Sequence, residues 1–277
     1  MKEFKSFCKT VGGNEGSKCK YPTRLDLYGC GCQHDCKYCY AKSLLSFRNL
    51  WNAQAPAVAD INKVERVIKK MPKGTILRLG GMTDCFQPCE LEYRNTYKAI
   101  ELLNQYGIGY LIVTKSHLVA NDEYMALYDK DLCHIQVTFT STTAEVSRSI
   151  EKASLPAQRI EAIEKLHKAG FDVAIRLSPY IPQFVDIDII NKIQCDKILV
   201  EFLRINTWIK KWLDINFDEF TVKSGGYLHL PLEKKKALLG LIKKEHISVC
   251  EDVTEHFDYW REYVNENKSD CCNLRKA

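Results

Sequence analysis

The stretch PAQRIEAIEKLHKAGFDVAIRLSPY (residues 156–180) decides how this chain is built. Its first part is helical in form. Pro156 stands near the start, Ile160, Ile163 and Leu166 recur at helical spacing, and Gly170 closes the run. Its second part, FDVAIRLSPY (171–180), is an apolar strand stopped by proline. A one-sided helix feeding a buried strand is the repeating unit of a parallel sheet.

The same unit recurs on both sides. LDLY (25–28) reads as a short strand, and NKVERVIKKM (62–71) as a helix with Val64, Val67, Ile68 and Met71 on one side. TILRLGG (75–81) is a strand ending in glycines. LEYRNTYKAIELLNQYG (91–107) is a helix closed by Gly107. YLIVTKS (110–116) and HIQVTFTST (134–142) are strands, IDIINKI (187–193) a short helix, and KILVEFLRI (197–205) a strand. Six strands predict a partial (β/α)6 barrel of parallel strands, its active site at their C-terminal ends. A doubly wound sheet is the alternative. The rhythm spans 25–206. Residues 1–24 form a basic, cysteine-containing extension, and 207–277 an irregular aromatic and cysteine-containing extension expected to pack on the barrel.

A length of 277 residues suits one α/β barrel, a fold that often takes about 250. No run of eighteen apolar residues occurs, so no membrane span is expected. The opening MKEFKSFCKTVGGNEGSK has no apolar core and does not read as a secretory signal; a cytoplasmic monomer is expected. The net charge of +5 permits a polyanionic partner without requiring one. Basic residues gather at Lys2, Lys5, Lys9, Lys18, Lys20 and Arg24. The knots at Lys69–Lys70, Lys210–Lys211, Lys234–Lys236 and Lys243–Lys244 read as solvated helix faces. Thirteen cysteines, an odd number, argue for metal or catalytic use over a disulfide framework.

Four of them lie in GCGCQHDCKYCYA (29–41): Cys30, Cys32, Cys36 and Cys39. The loop follows the first strand and so sits at the mouth of the barrel. Thiolates suit zinc or an iron–sulfur cluster. A structural zinc site needs four ligands, usually in two separated pairs, and only Cys30 or His34 offers a fourth here. A cubane held by three cysteines leaves one iron open.

CQHDCKYCY (32–40) resembles the CxxxCxYC form of the radical S-adenosylmethionine enzymes. The resemblance implies a 4Fe–4S cluster on Cys32, Cys36 and Cys39, whose open iron chelates S-adenosylmethionine. One electron then cleaves the sulfonium to methionine and a 5′-deoxyadenosyl radical that takes hydrogen from substrate. A flavodoxin- or ferredoxin-type donor is implied as partner. GGMTDCFQPCE (80–90), YLIVTKSHLVANDEYM (110–125) and RIEAIEKLHKAGFDVAIRLSPYIP (159–182) are similar to the spore photoproduct lyase-like branch. That likeness implies backbone approach of Gly80 and Gly81 to the methionine moiety, Thr83 and Asp84 near its ammonium, and Lys115 at its carboxylate. Thr138 and Thr140 are candidates for ribose or carboxylate, and Arg176 for ribose, substrate or a structural ion pair. Tyr38 is implied beside the cofactor and Tyr40 in hydrogen-atom transfer. The lyase's hydrogen-donating cysteine precedes its Ser/Thr-Asp pair, where this chain has Gly81 and Met82. Cys85, just after the Asp, is the cysteine expected to turn into the mouth.

Cys89, Cys133 and Cys195 are expected in the core. Cys8, Cys19, Cys250, Cys271 and Cys272 are candidates for a second metal site. His229, His246 and His256 read as surface or capping residues. Trp208, Trp212, Tyr227, Tyr259 and Trp260 are core cover or base-stacking groups. The expected activity is radical chemistry on a nucleic-acid base. The alternatives are a peptide or small metabolite as substrate, or a zinc-stabilised nucleic-acid-binding module without catalysis.

Overall fold

The computed structural model describes residue 4 and residues 7–275, apart from the side chain of Asn14. Lys2 and Lys5 of the basic N-terminal stretch lie outside them. Eight strands form the main sheet: β1 (Cys8–Thr10), β2 (Thr23–Leu25), β3 (Ile76–Leu79), β4 (Gly109–Thr114), β5 (Cys133–Phe139), β6 (Asp172–Tyr180), β7 (Lys197–Phe202) and β8 (His246–Val249). Their order in space is their order in the chain. β1 is antiparallel to β2, and every other neighbouring pair is parallel. A doubly wound sheet reverses its strand order near the middle, and this sheet does not. The partial barrel is the observed architecture.

The sheet reaches past both ends of the expected repeat. β1 is drawn from the N-terminal stretch, and β8 from a run read as helix and extension. Four residues, HISV, are too few to display a period, and the helix before them ends at Leu239. Several inner strands end two or three residues early. The 134–142 run leaves the ladder after Phe139, the 75–81 run after Leu79 and the 197–205 run after Phe202. Those residues become the loops of the mouth.

Alternation divides each inner strand. Cys133, Ile135, Val137 and Phe139 of β5 join the apolar core between sheet and helices. Gln136 and Thr138, with Arg176 of β6 and Glu201 of β7, belong to the opposite, inner face. Arg176 reaches Gln136 at 2.8 Å and Glu201 at 2.5 Å across that face. Cys89, Cys133 and Cys195 are in the core as expected. Two histidines read as surface groups are not: His229 and His256 are buried. His256 Nδ1 stands 3.1 Å from the buried Lys235 ammonium, itself paired with Glu251. Trp260 is core, stacked on Phe202 at 6.5 Å, whereas Trp208 is partly exposed against Trp212. Among the described residues no helix is long and apolar enough to cross a membrane.

Glu90, the last residue of the quoted TDCFQPCE run, is fully buried and braces this frame. One oxygen accepts from the Tyr28 hydroxyl and from Thr96 N–H at 2.9 Å. The other accepts from Tyr97 N–H at 3.0 Å and the Tyr124 hydroxyl at 2.6 Å. Glu90→Ala strands these donors, and an unsatisfied buried donor costs about 1–3 kcal/mol. Urea unfolding should show a loss of roughly 3 kcal/mol or more, with Glu90→Gln losing less. A change under about 0.5 kcal/mol for Glu90→Ala would mean that the brace carries no weight.

Candidate active site

Asp26 follows β2 by one residue and is buried. Its Oδ1 accepts from the N–H groups of Gly81 (2.9 Å), Met82 (2.7 Å) and Thr83 (3.4 Å). Thr83 Oγ1 donates to Tyr28 O at 2.7 Å. The GGMT turn is thereby fixed against the first strand. Gly80 has φ +85°, and a Cβ there would stand 2.9 Å from Val113 O. Glycine is required on both counts.

The three-cysteine loop is docked onto the next segment by one side chain of each. Gln33 N–H donates to Gln87 Oε1 at 2.9 Å, and Cys89 N–H donates to Gln33 Oε1 at 2.6 Å. On its other side Lys37 N–H reaches Ile150 O at 2.9 Å and Lys152 N–H reaches His34 O at 2.6 Å. The Tyr38 hydroxyl donates to Glu151, which also holds Arg159 and lies 3.8 Å from Cys36 Sγ. Cys39 caps the helix Tyr40–Phe47, its sulfur accepting from Lys42 N–H at 3.4 Å.

These contacts turn Cys32, Cys36 and Cys39 into one cavity at the C-terminal ends of the strands. Burial pushes all three thiols up, and charge on Lys115 pulls Cys36 and Cys39 the other way. Burial likewise lowers the Lys115 ammonium, which lies 5.5 Å from the centre of the Tyr38 ring. Asp84 accepts from the Thr114 hydroxyl and from Lys115 N–H, both at 2.7 Å. His34 Nδ1 lies 3.3 Å from Asp84 Oδ2 but off the hydrogen-bonding direction. Burial alone would raise the Asp84 carboxyl; the His34 charge and these donors outweigh it and hold it at about 2.

Tyr38, Tyr40, Gly80, Gly81, Thr83, Asp84 and Lys115 share the cavity with the thiols, as do Thr138 and Arg176. The Tyr40 hydroxyl donates to Gly81 O at 2.6 Å and stands 3.4 Å from an Arg24 nitrogen. Arg204 lies over its ring at 4.9 Å. Arg176 makes the ion pair that was one of its alternatives while still lining the cavity. Two expectations are corrected. Thr140 is not on the cavity wall, since its hydroxyl donates to Ser178 O at 3.0 Å. Cys85 does not turn into the mouth. It is buried in the core, where its carbonyl accepts from the Thr96 hydroxyl at 2.5 Å and the turn is held against a following helix.

Sequence reading missed Asp26, Gln33, Glu151, Arg159 and Glu201. No local pattern brings these residues their partners, and the available signal was a charge inside an apolar strand, Asp26 in LDLY and Glu201 in KILVEFLRI.

The cavity fits a thiolate-bound cluster with a polar organic ligand beside it. Three thiols and an ammonium face it, a glycine turn presents backbone, and the buried Thr138 Oγ1 has no partner among the described residues. Three thiols at the mouth of a partial barrel are a donor set suited to an iron–sulfur cluster. The model of the Radical SAM superfamily matches residues 27–193, and the chain belongs to that superfamily. Its members use a 4Fe–4S cluster, S-adenosylmethionine and a reductant.

The chain is 27% identical over 196 residues to an uncharacterized protein of Methanocaldococcus jannaschii, covering 68% of this chain and 74% of that one. It is 27% identical over 167 residues to an uncharacterized protein of Acidianus two-tailed virus, covering 56% and 55%. Among solved structures it resembles spore photoproduct lyase complexed with dinucleoside spore photoproduct, with TM-score 0.61, 16% identity, and coverage of 91% of this chain and 76% of that one. A variant of that lyase with bound AdoMet and the same dinucleoside matches with TM-score 0.58 and 16% identity, over 88% and 76%. At that identity the likeness is one of fold.

Glu201 gives the site an acid limit. Burial alone would raise its carboxyl, but Arg176, Arg204 and the Ser178 hydroxyl hold it at about 2. A depressed carboxyl contributes stability above its unfolded value of about 4.5, and that stability is lost as pH falls through about 2. Stability measured by denaturant should therefore fall between those limits, by about 3 kcal/mol from this group. Glu201→Gln should flatten the slope, and an unchanged slope would assign the effect elsewhere.

Proposed function

We propose that this chain is a radical enzyme acting on a nucleic-acid base, in repair or modification, with Cys32, Cys36 and Cys39 as its cluster ligands. The observation that carries the reading is the lining beyond the thiols. The Tyr40 phenol shares the cavity with Arg24, Arg78 and Arg204, Arg24 paired with Glu15 and Arg204 with Asp252, a guanidinium-bearing and aromatic wall on which a base can stack. The dinucleoside held by spore photoproduct lyase supports the same substrate class.

When bound, the cluster and S-adenosylmethionine supply a 5′-deoxyadenosyl radical by one-electron cleavage of the sulfonium. An external flavodoxin- or ferredoxin-type donor provides the electron. The chain's own residues bind and orient. Gly80 and Gly81 offer backbone to the methionine moiety, beside Thr83 and the Asp84 anion. Lys115 meets the carboxylate. The Thr138 hydroxyl is available to the ribose, and Arg176, steadied by Glu201, lies beyond it. Thr140 supports from behind the wall through Ser178. Gly81 holds the Tyr40 hydroxyl at the boundary between cofactor and substrate, where it can relay a hydrogen atom. With Gly81 and Met82 in place of the lyase-type cysteine, we assign an outcome other than thymine-dimer reversal. Chemistry on a base at thiols buried in this cavity calls for a base that is flipped out or single-stranded.

Anaerobic reconstitution should load about four irons per chain. Dithionite should then release 5′-deoxyadenosine from S-adenosylmethionine, and Cys36→Ala should abolish the release. Single-stranded oligonucleotide should stimulate it, and Tyr40→Phe should cleave S-adenosylmethionine with little product on the base. Cleavage that survives in Cys36→Ala, or zinc in place of iron with S-adenosylmethionine intact, would overturn the assignment. Stimulation by peptide and not by oligonucleotide would move the substrate class.

A further inference from the structure

Four further cysteines stand outside both the three-cysteine loop and the apolar core, and the fold brings them together. Cys19 is the C-cap of the short helix Gly13–Lys18. Cys250 follows β8, its N–H donating to Val200 O at 2.9 Å. Cys271 and Cys272 lie in a turn of the C-terminal tail organised by Asp270. One Asp270 oxygen accepts from Cys272 N–H at 2.9 Å and the other from the Tyr21 hydroxyl at 2.6 Å. Cys19, Cys250 and Cys271 line the cavity that also receives the cysteine loop, and Cys272 adjoins Cys271 in the turn. Cys19 is close enough to feel charge on Cys250 and Cys272. None is in a disulfide. Cys8, the fifth terminal cysteine, pairs along β1 with Leu25 and takes no part.

Their surroundings are those of an anion. Arg78 and Arg176 line the same cavity as Cys19, Cys250 and Cys271, Arg176 paired with Glu201. Arg78 Nε is buried with no hydrogen-bond partner among the described residues. Apolar packing explains a cysteine in a core, but not four half-buried thiols gathered between two guanidinium groups. Sulfurs on a tetrahedral zinc ion with Zn–S near 2.3 Å stand about 3.8 Å apart, the range of thiols in mutual contact. Among the described residues no group of three or more His, Cys, Asp or Glu is already arranged to hold a metal ion, Cys32, Cys36 and Cys39 included.

The geometry points to a second metal centre: Cys19, Cys250, Cys271 and Cys272 bind one zinc ion and tie the N-terminal segment and the C-terminal tail to the end of β8. Each thiol gives its proton to solvent on binding, and no electron moves. Four thiolates and Zn2+ leave two negative charges, which Arg78 and Arg176 oppose.

Metal analysis of the anaerobically isolated, cluster-loaded chain tests this. About one zinc and about four irons per chain are expected. The C271S/C272S variant should lose the zinc and keep the iron, while Cys8→Ser should keep both. Cobalt replacing the zinc should show the strong visible bands of tetrahedral thiolate coordination, and these should weaken in Cys19→Ser. If the double variant does not fold, the wild-type metal content and the Cys19→Ser spectrum decide. Four irons without zinc, about eight irons without zinc, zinc that survives in C271S/C272S, or a Cys250–Cys271 disulfide found by peptide mapping would each overturn the assignment.

Discussion

A single buried carboxylate at the end of the first parallel strand gathers three consecutive N–H groups of the GGMT turn, and the mouth is built around that contact. Asp26 pays no attention to solvent; it is enclosed, and burial raises its pKa, yet it remains the acceptor that fixes Gly81, Met82 and Thr83. With the turn fixed, Gly81 O becomes the acceptor for Tyr40, and Asp84 is delivered to the Thr114 and Lys115 strand end. The cysteine loop then docks on the residues that follow, through Gln33 and Gln87. Ligand loop, glycine turn and strand end are thus positioned by one chain of hydrogen bonds running outward from Asp26.

The parallel architecture was legible because its evidence is local. Helix starts and stops at Pro156 and Gly170, and unbroken apolar strands, are read within a dozen residues. The thiol spacing and most of the wall were legible for the same reason, since each sits at the C-terminal end of a recognisable strand. What escaped reading depends on partners far apart in the chain. Glu151 receives the Tyr38 hydroxyl from a loop 113 residues earlier, and nothing in the residues around it announces that task. β8 was hidden by brevity. The direction of Cys85 is set within a turn anchored by Thr96, a constraint no period records.

Buried ion pairs surround the barrel as well as line it. Arg159 and Glu151 are both fully enclosed, Lys235 and Glu251 nearly so, and Arg176 meets Glu201 beside the cavity. Removing such charges from water costs about as much as their attraction returns, so pairs of this kind are poor sources of stability. Their value here is orientation. Each guanidinium or ammonium is pinned by a carboxylate that is itself hydrogen-bonded, which leaves few ways for the wall to rearrange around a reactive ligand.

The match between strand order and chain order also bears on how the molecule is assembled. Each parallel strand adds beside the one before it, so the sheet can grow in the sequence in which a ribosome delivers it, with no gap left for a later strand to invade. The contacts of Tyr21 with Asp270 and of Lys18 with Asp252 break that pattern by joining residues about as distant as the chain permits. Closing so long a loop is entropically slow. Seating of the tail, which brings Cys250 and Cys271 to the cavity wall, is therefore expected to be a late step of folding.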